Sequence, residues 1–447
     1  MIRETPMASH SSSWCLLFTA TAPLLARRFG AFGLSAWFLF SIATGNLGAQ
    51  EPPDTNYDEA AVRSYELPDP LTSLDGRRIE NARLWCDVRR PEILEAFRRE
   101  VYGRVPEFAT ALRCVVTKVD PVALGGLAIR KEIRIDLFEA ADAPHIDLLL
   151  YIPAKGTGPF PTFLGLNYGN QGVADDPAIT PSRNAISKRG EHAHRWPLAH
   201  ILSSGYAVAT FHGGDVELDR HGSGCRFTPE GWERGVRYFV MRGLGRAELA
   251  PDEWGSIAAW AWALSRSLDC LETDDAIDAK RVAVIGHSRT GKAALWAAAQ
   301  DERFAMAAAN QSGRGGAAIA RRRYGETVKA SYDISGSWYC RNYKHYGGNE
   351  SALPVDAHLL IAAIAPRPVA IGSAVEDGWA DPRGEFLAAR AADPVYALFG
   401  VVGVGVDDWP PPDHQVGDRV GYRLRPGGHD MSADDWEYYL RFFDRQR

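Results

Sequence analysis

Nine residues, Val284-Ile285-Gly286-His287-Ser288-Arg289-Thr290-Gly291-Lys292, constrain what this chain can fold into more than any other stretch. The run before them, 281–285, is apolar and β-branched like a buried strand, and 292–299 after them is alanine-rich and helix-forming. Ser288 is therefore placed on a strand-to-helix turn. Such a turn exposes a hydroxyl, small flanking residues relieve crowding, and the helix N-terminus offers oriented N–H groups to a developing anion. The spacing is G-x-S-x-x-G, with Gly286 two residues before the serine, Gly291 three after it, and Arg289 directly following. A short Gly-x-Ser match by itself also describes a serine capping an ordinary helix. The strand before and the helix after raise the nucleophile reading to equal weight.

The rest of the chain alternates strand and helix patterns. Residues 92–101 have helical spacing and run into a Tyr102-Gly103-Arg104-Val105-Pro106 turn. Residues 131–138 alternate charged and apolar side chains, as a half-buried edge strand does, and 146–152 is a second strand. The more uniformly apolar runs 161–166 and 206–211 predict central parallel strands, each leading into a loop at its carboxyl end, 167–172 and 212–215. A long amphipathic helix is expected over 254–271, further strands over 304–310, 368–373 and 419–424, and a closing helix over 433–447 with Trp436, Tyr439, Leu440 and Phe443 on one face. This order implies an α/β fold, a mostly parallel central sheet flanked by helices with an antiparallel N-terminal edge, in a single domain.

The first fifty residues differ in kind. Arg27-Arg28 precede an apolar stretch, 29–43, followed by Gly45, Gly48, Ala49 and Gln50, which is the layout of a signal peptide with cleavage expected after Ala49. An uncleaved anchor is the alternative, but the apolar run is short for a membrane span. The paired arginines fit a twin-arginine leader as well as a general secretory one. The expected organisation is thus a signal peptide at 1–49, a polar linker at 50–65 and a catalytic domain at 66–447. That makes the protein exported, periplasmic or secreted, with no stable membrane association once the leader is gone.

Cleavage removes Cys15 and leaves Cys86, Cys114, Cys225, Cys270 and Cys340. No pair has C-x-x-C spacing, so a zinc or redox site is not expected; five cysteines allow at most two disulfides, and buried free thiols are the expectation. His212 and Asp215 lie close together without a third partner at ligand spacing, so no metal or other cofactor is expected. A net charge of -6 gives no global reason to bind nucleic acid.

A serine hydroxyl needs a base, and the base needs an orienting acid. In α/β-hydrolases these follow in the order Ser, acid, His. His345, His358, His414 and His429 follow Ser288, and His429 lies in a glycine-rich loop, Arg425-Pro426-Gly427-Gly428-His429-Asp430, just after the last expected strand. It is the expected base, whereas His358, inside the apolar stretch 357–364, is expected to be a core histidine. The acid should follow the strand 368–373, where Glu376, Asp377 and Asp381 are available. Asp377 is the first choice and Glu376 the second.

These residues carry a resemblance. Gly-His-Ser-Arg-Thr-Gly-Lys (286–292), Ser-Gly-Arg-Gly-Gly-Ala (312–317), Tyr-Gly-Glu-Thr (324–327), Ala-Pro-Arg-Pro-Val (365–369), Trp-Ala-Asp-Pro (379–382) and the His429 loop together resemble the glucuronoyl esterases, carbohydrate esterase family 15, in their bacterial form. The likeness runs from about residue 92 to the C-terminus. It implies an α/β-hydrolase fold and hydrolysis of esters joining 4-O-methyl-glucuronic acid on xylan to alcohols, lignin alcohols included. It also implies that Ser288 attacks the uronoyl carbonyl, that His429 takes its proton, and that Arg289 stabilises the oxyanion. A cation at a helix N-terminus opposes the helix dipole, which favours a functional reason for Arg289. By the same resemblance Lys292 and Glu326 bind sugar hydroxyls and Trp379 lines the sugar site.

Gln311 stands where many members carry the catalytic carboxylate, just before the Ser-Gly dipeptide, and it is expected on the substrate side of the site. An amide cannot stabilise an imidazolium as a carboxylate does, so the acid is expected from Asp377. Two alternatives remain at this point: an acetyl-xylan or general carboxylesterase, against which the polar pair Lys292 and Glu326 argues, and a non-catalytic carbohydrate-binding protein, against which Ser288, Asp377 and His429 argue. A monomer is expected.

Overall fold

The computed structural model describes residues 55–185, 187–219 and 233–446. The expected leader at 1–49 and Cys225 lie outside the described residues.

The alternating and apolar runs of the sequence become one ten-stranded sheet. In chain order its strands are β1 (Arg113–Val122), β2 (Ala128–Asp136), β3 (His145–Pro153), β4 (Phe160–Asn167), β5 (Ala207–His212), β6 (Ile277–His287), β7 (Met306–Asn310), β8 (Val369–Ala374), β9 (His414–Val416) and β10 (Val420–Arg425). Their spatial order is β1-β2-β3-β5-β4-β6-β7-β8-β10-β9. From β5 through β10 neighbouring strands run parallel, while β1, β2 and β3 join antiparallel at one end and β9 antiparallel at the other. This mostly parallel sheet with helices on both faces is the α/β-hydrolase fold.

The edge strand is not where the alternation of 131–138 placed it. That run is β2, paired on both sides, and the edge is β1. The pattern misleads because β1 is open on both faces, with Val116, Val119 and Val122 exposed, so no period of two marks it.

Alternation along β6 builds the core. Val282 and Val284 pack into the cluster on one face, with the helices Ser256–Leu271 and Arg289–Gln300, and Ala283 and Ile285 into the cluster on the other, with Ala433–Arg445. The last helix starts with a Ser432–Asp435 capping box and buries Trp436, Tyr439, Leu440 and Phe443. The helix Ser256–Leu271, expected to be amphipathic, is buried on almost every side. The helix Arg90–Phe97 continues through a wider turn, Arg98–Tyr102, and stops at Gly103. A Cβ there would lie 2.3 Å from the Glu253 carbonyl carbon, so only glycine lets the two backbones approach.

Two expectations change. The described part of the linker, 55–65, is docked: the Asn56 carbonyl accepts from Gly325 N (2.8 Å), and Glu59 pairs with Arg322 (2.6 Å) and Arg383 (3.2 Å). Polar composition alone suggested a tether, but Glu59 has fixed partners. Among the cysteines, Cys114 of β1 and Cys270 form a disulfide, while Cys340 is buried and free and Cys86 is exposed and free. Their Cα atoms are 5.9 Å apart although 156 residues separate them, a proximity that spacing could not reveal. His358 is fully buried, with Nε2 2.8 Å from the Pro68 carbonyl oxygen, and burial lowers its pKa. Among the described residues no helix is long and apolar enough to cross a membrane.

Candidate active site

Ser288 sits between β6 and the helix Arg289–Gln300 with φ 57° and ψ -130°, a backbone conformation that costs a serine on the order of 1–3 kcal/mol. The flanking glycines explain how it is held. A Cβ on Gly286 would lie 2.1 Å from the Thr290 carbonyl oxygen, and one on Gly291 would lie 3.0 Å from the Gly286 oxygen. The second glycine is thus needed at plus three because that turn of helix packs directly on Gly286. Ser288 N donates to the Asn310 carbonyl (2.9 Å), tying the turn to β7, and His287 N donates to Thr290 Oγ1 (2.9 Å).

Beside the serine, His287 is buried and paired through Nδ1 with Asn310 Oδ1 at 2.7 Å. Burial, helped by the nearby His429, pushes its pKa well down, so it is a neutral packing surface. The His429 ring packs against it, tilted by 42° with 4.5 Å between centroids, which brings the expected base next to the Ser288 turn. His429 Nδ1 lies 2.6 Å from Asp377 Oδ2, and the carboxylate is 4% exposed. Glu376, the other candidate acid, is exposed, and its N–H donates to the Gly427 carbonyl (3.0 Å), pinning the acid loop to the histidine loop. Among the described residues no hydrogen bond joins the Ser288 hydroxyl to the His429 ring; such bonds commonly tighten only with substrate bound.

The histidine loop is braced by residues that sequence reasoning left without a role. Arg425, at the end of β10, pairs with Asp435 (2.9 Å) and donates to the carbonyls of Pro426, Gly428 and Asp430. Asp430, next to His429, is held by Arg195 Nε at 2.7 Å. Gln311 is 1% exposed and its Oε1 accepts from Asp430 N at 3.0 Å. Gln311, expected on the substrate side, is instead buried with its amide oxygen on the backbone of the histidine loop. Glu385 is fully buried below the acid loop, accepting from Ser312 Oγ (3.1 Å), Gly313 N (2.9 Å) and Ser373 Oγ (2.5 Å). Burial, with the Asp377 charge adding to it, raises its pKa to about 8.

On the opposite side of Ser288, Arg289 donates through Nε to Asp219, and its guanidinium lies 5.0 Å from the Tyr168 ring and 5.6 Å from the Trp338 ring. Asp219 also accepts from Trp338 Nε1 at 3.0 Å. No spacing pattern links Asp219 or Tyr168 to the nucleophile turn, because both arrive on loops at strand ends. Lys292, one helical turn after Ser288, is buried and paired with Glu326 at 2.9 Å. Burial lowers its pKa and the Glu326 charge opposes that. Glu326 also accepts from Ser331 Oγ (2.6 Å), and its N–H donates to the carbonyl of Trp379, a half-buried residue two positions after Asp377. The structure thus gathers Ser288, Arg289, Lys292, Glu326, Asp377, Trp379 and His429 at the carboxyl ends of β6, β7, β8 and β10, where open α/β sheets bind ligands. A hydroxyl at a helix N-terminus, an acid-backed imidazole and two cations make a site suited to acyl transfer from an anionic or polar substrate.

Known proteins share this arrangement of fold. A family profile described as "Glucuronyl esterase, fungi" matches residues 250–400. A carbohydrate esterase named MZ0003, from an unknown prokaryotic organism, is 44% identical over 410 residues, covering 88% of this chain and 92% of that protein. The solved structure of a glucuronoyl esterase from Solibacter usitatus is 42% identical, with a TM-score of 0.81 over 87% of this chain and 99% of that one. A promiscuous CE15 esterase from a marine bacterial metagenome is 43% identical, with a TM-score of 0.81 over 88% of this chain and 100% of its own.

Proposed function

The chain belongs to the glucuronoyl esterases of carbohydrate esterase family 15, which are carboxylic ester hydrolases, and from that premise we propose that it cleaves esters between 4-O-methyl-glucuronic acid side chains of glucuronoxylan and lignin or other alcohols. The observation that carries the substrate class is the buried Lys292–Glu326 pair one turn from Ser288. Two charged side chains kept out of water beside a nucleophile suit a sugar that presents several hydroxyls, and serve no purpose for a simple alkyl ester.

In this reading His429 accepts the Ser288 proton as the oxygen attacks the uronoyl carbonyl, and Asp377 stabilises the imidazolium. The tetrahedral oxyanion is met by the Arg289 backbone N–H and guanidinium. With Nε committed to Asp219, the terminal nitrogens are the atoms that reach it. His429 then returns the proton to the departing alcohol, leaving an acyl-enzyme. Water, deprotonated by the same imidazole, attacks that ester, and Ser288 leaves with the proton while the free uronate is released.

A broader ester specificity is the second reading, favoured by the relative whose description is promiscuous. The test is hydrolysis of benzyl glucuronate against p-nitrophenyl acetate, with wild type and Ser288→Ala. Serine-dependent turnover of the uronate, well above acetate, supports the uronoyl reading; turnover of acetate alone replaces it with a general esterase. The enzyme is proposed to act outside the cytoplasm as a monomer, with a signal peptide at 1–49. The Cys114–Cys270 disulfide supports an oxidising compartment.

A further inference from the structure

The docked segment at 55–61 lies against the loops that carry the acid and the sugar-binding residues. Its Asn56 carbonyl accepts from Gly325 N, the residue before Glu326. A Cβ on Gly378, between Asp377 and Trp379, would lie 3.0 Å from Tyr57 Cδ1, so the Tyr57 ring rests on that glycine. Its ring also meets Tyr324 edge to face, 6.1 Å between centroids at 88°. Glu59 fixes the segment by pairing with Arg322 and Arg383, and Arg322 in turn holds Asp381 at 2.9 Å.

Asn56 and Glu59 anchor the segment on either side of Tyr57, and the tyrosine, though packed on Gly378 and Tyr324, stays 41% exposed. Among the Phe, Tyr and Trp side chains of the described residues only Trp409, at 39%, is nearly as open. A chain segment that needed only to be held would gain by turning its one large apolar ring inward. Here the ring is instead presented at the rim, beside the half-buried Tyr324 and Trp379, on the margin of the site that contains Glu326 and Asp377.

We propose that Tyr57, fixed by residues 55–61, is a carbohydrate-binding platform that stacks a pyranose ring of the polysaccharide backbone bearing the esterified uronate. An aromatic face is electron-rich and the axial C–H groups of a pyranose carry partial positive charge, so the two stack while the sugar hydroxyls stay in water. The Lys292–Glu326 side of the site holds the uronate itself, and the rim is where the chain attached to it must pass. The inference rests on the glucuronoyl ester reading above and extends it from the side-chain sugar to the polymer.

The test compares kcat/KM on benzyl glucuronate with kcat/KM on a benzyl uronoyl ester whose glucuronate is carried on a xylo-oligosaccharide, for wild type, Tyr57→Ala and Tyr57→Phe. Loss of the ring lowers the ratio of oligosaccharide to simple ester by about fivefold, mostly through KM, the size expected of one aromatic stacking contact. Tyr57→Phe, which keeps the ring, keeps the ratio. An unchanged ratio in Tyr57→Ala overturns the proposal, including the case in which both rates fall together because the segment is merely structural. If wild type hydrolyses neither ester, the parent reading fails and takes this one with it. Activity on both with an unchanged ratio defeats this proposal alone.

Discussion

His429 Nδ1 lies 2.6 Å from a carboxylate oxygen of Asp377, and the carboxylate is buried while the histidine ring is 40% open. The pair is thus oriented from behind and free in front, with its remaining nitrogen on the open side. The backbone supports this polarity twice, through Glu376 N on the Gly427 carbonyl and Asp430 N on the Gln311 amide oxygen.

Asp377→Asn should lower kcat by about 10³-fold or more with little change in KM, because an amide neither fixes the tautomer nor stabilises the imidazolium. Gln311→Glu on that background should not rescue it. Gln311 faces the loop backbone, and a carboxylate oxygen there would serve Asp430 N as the amide oxygen does. Steady-state kinetics on a uronate ester decide the matter, and recovery by the glutamate would move the acid to position 311.

Arg289→Ala should cost about 10²-fold or more in kcat if its cation meets the oxyanion. Arg289→Lys should not restore it, since a point charge cannot keep an Nε bond to Asp219 and still offer two more nitrogens. Asp219→Asn should cost less than Arg289→Ala because it removes orientation and leaves the charge. A wild-type rate in Arg289→Ala would make the arginine a bystander.

Much of this site could be read in the chain because its parts are local. The elbow at 286–291 declares itself by a strand, two glycines and a helix in unbroken sequence, and chain order at strand ends singles out His429 and Asp377, which the structure pairs at 2.6 Å. What could not be read is long-range or lacks a period. Asp219 reaches Arg289 across 70 residues, and Glu59 reaches Arg322 across 263, so composition made one anonymous and the other part of a tether. β1 is open on both faces and carries no alternation, which moved the expected sheet edge inward by one strand. The burial of Gln311 depends on a contact with Asp430 N across 119 residues, which its neighbours do not announce.

Lys292→Met should destabilise the fold by roughly 3–5 kcal/mol, because it leaves Glu326 charged and buried without its partner. The double variant Lys292→Met with Glu326→Gln should recover a large part of that loss while remaining inactive on uronate esters. Unfolding in urea measures the first effect and ester hydrolysis the second. Equal stability of the single and double variants would show that the Glu326 carboxylate costs nothing without Lys292, and would overturn this account.

Glu385 makes stability depend on pH in a direction opposite to that of an ordinary surface carboxylate. Its folded pKa is raised, chiefly by burial and further by Asp377, to about 8 from an unfolded value of 4.5. Folding therefore takes up a proton between those values. The contribution is fully present below about pH 4.5 and is lost as pH rises through about 8, at no more than about 1.4 kcal/mol per pH unit from this one group. Glu385→Gln keeps an oxygen for Ser312 and Gly313 and removes the titration. Unfolding free energies taken from pH 5 to 9 should fall for wild type more steeply than for the variant up to about pH 8, above which the gap between the two curves stays constant. Parallel curves would mean that Glu385 is ionised throughout, its charge carried by the three hydrogen bonds it accepts.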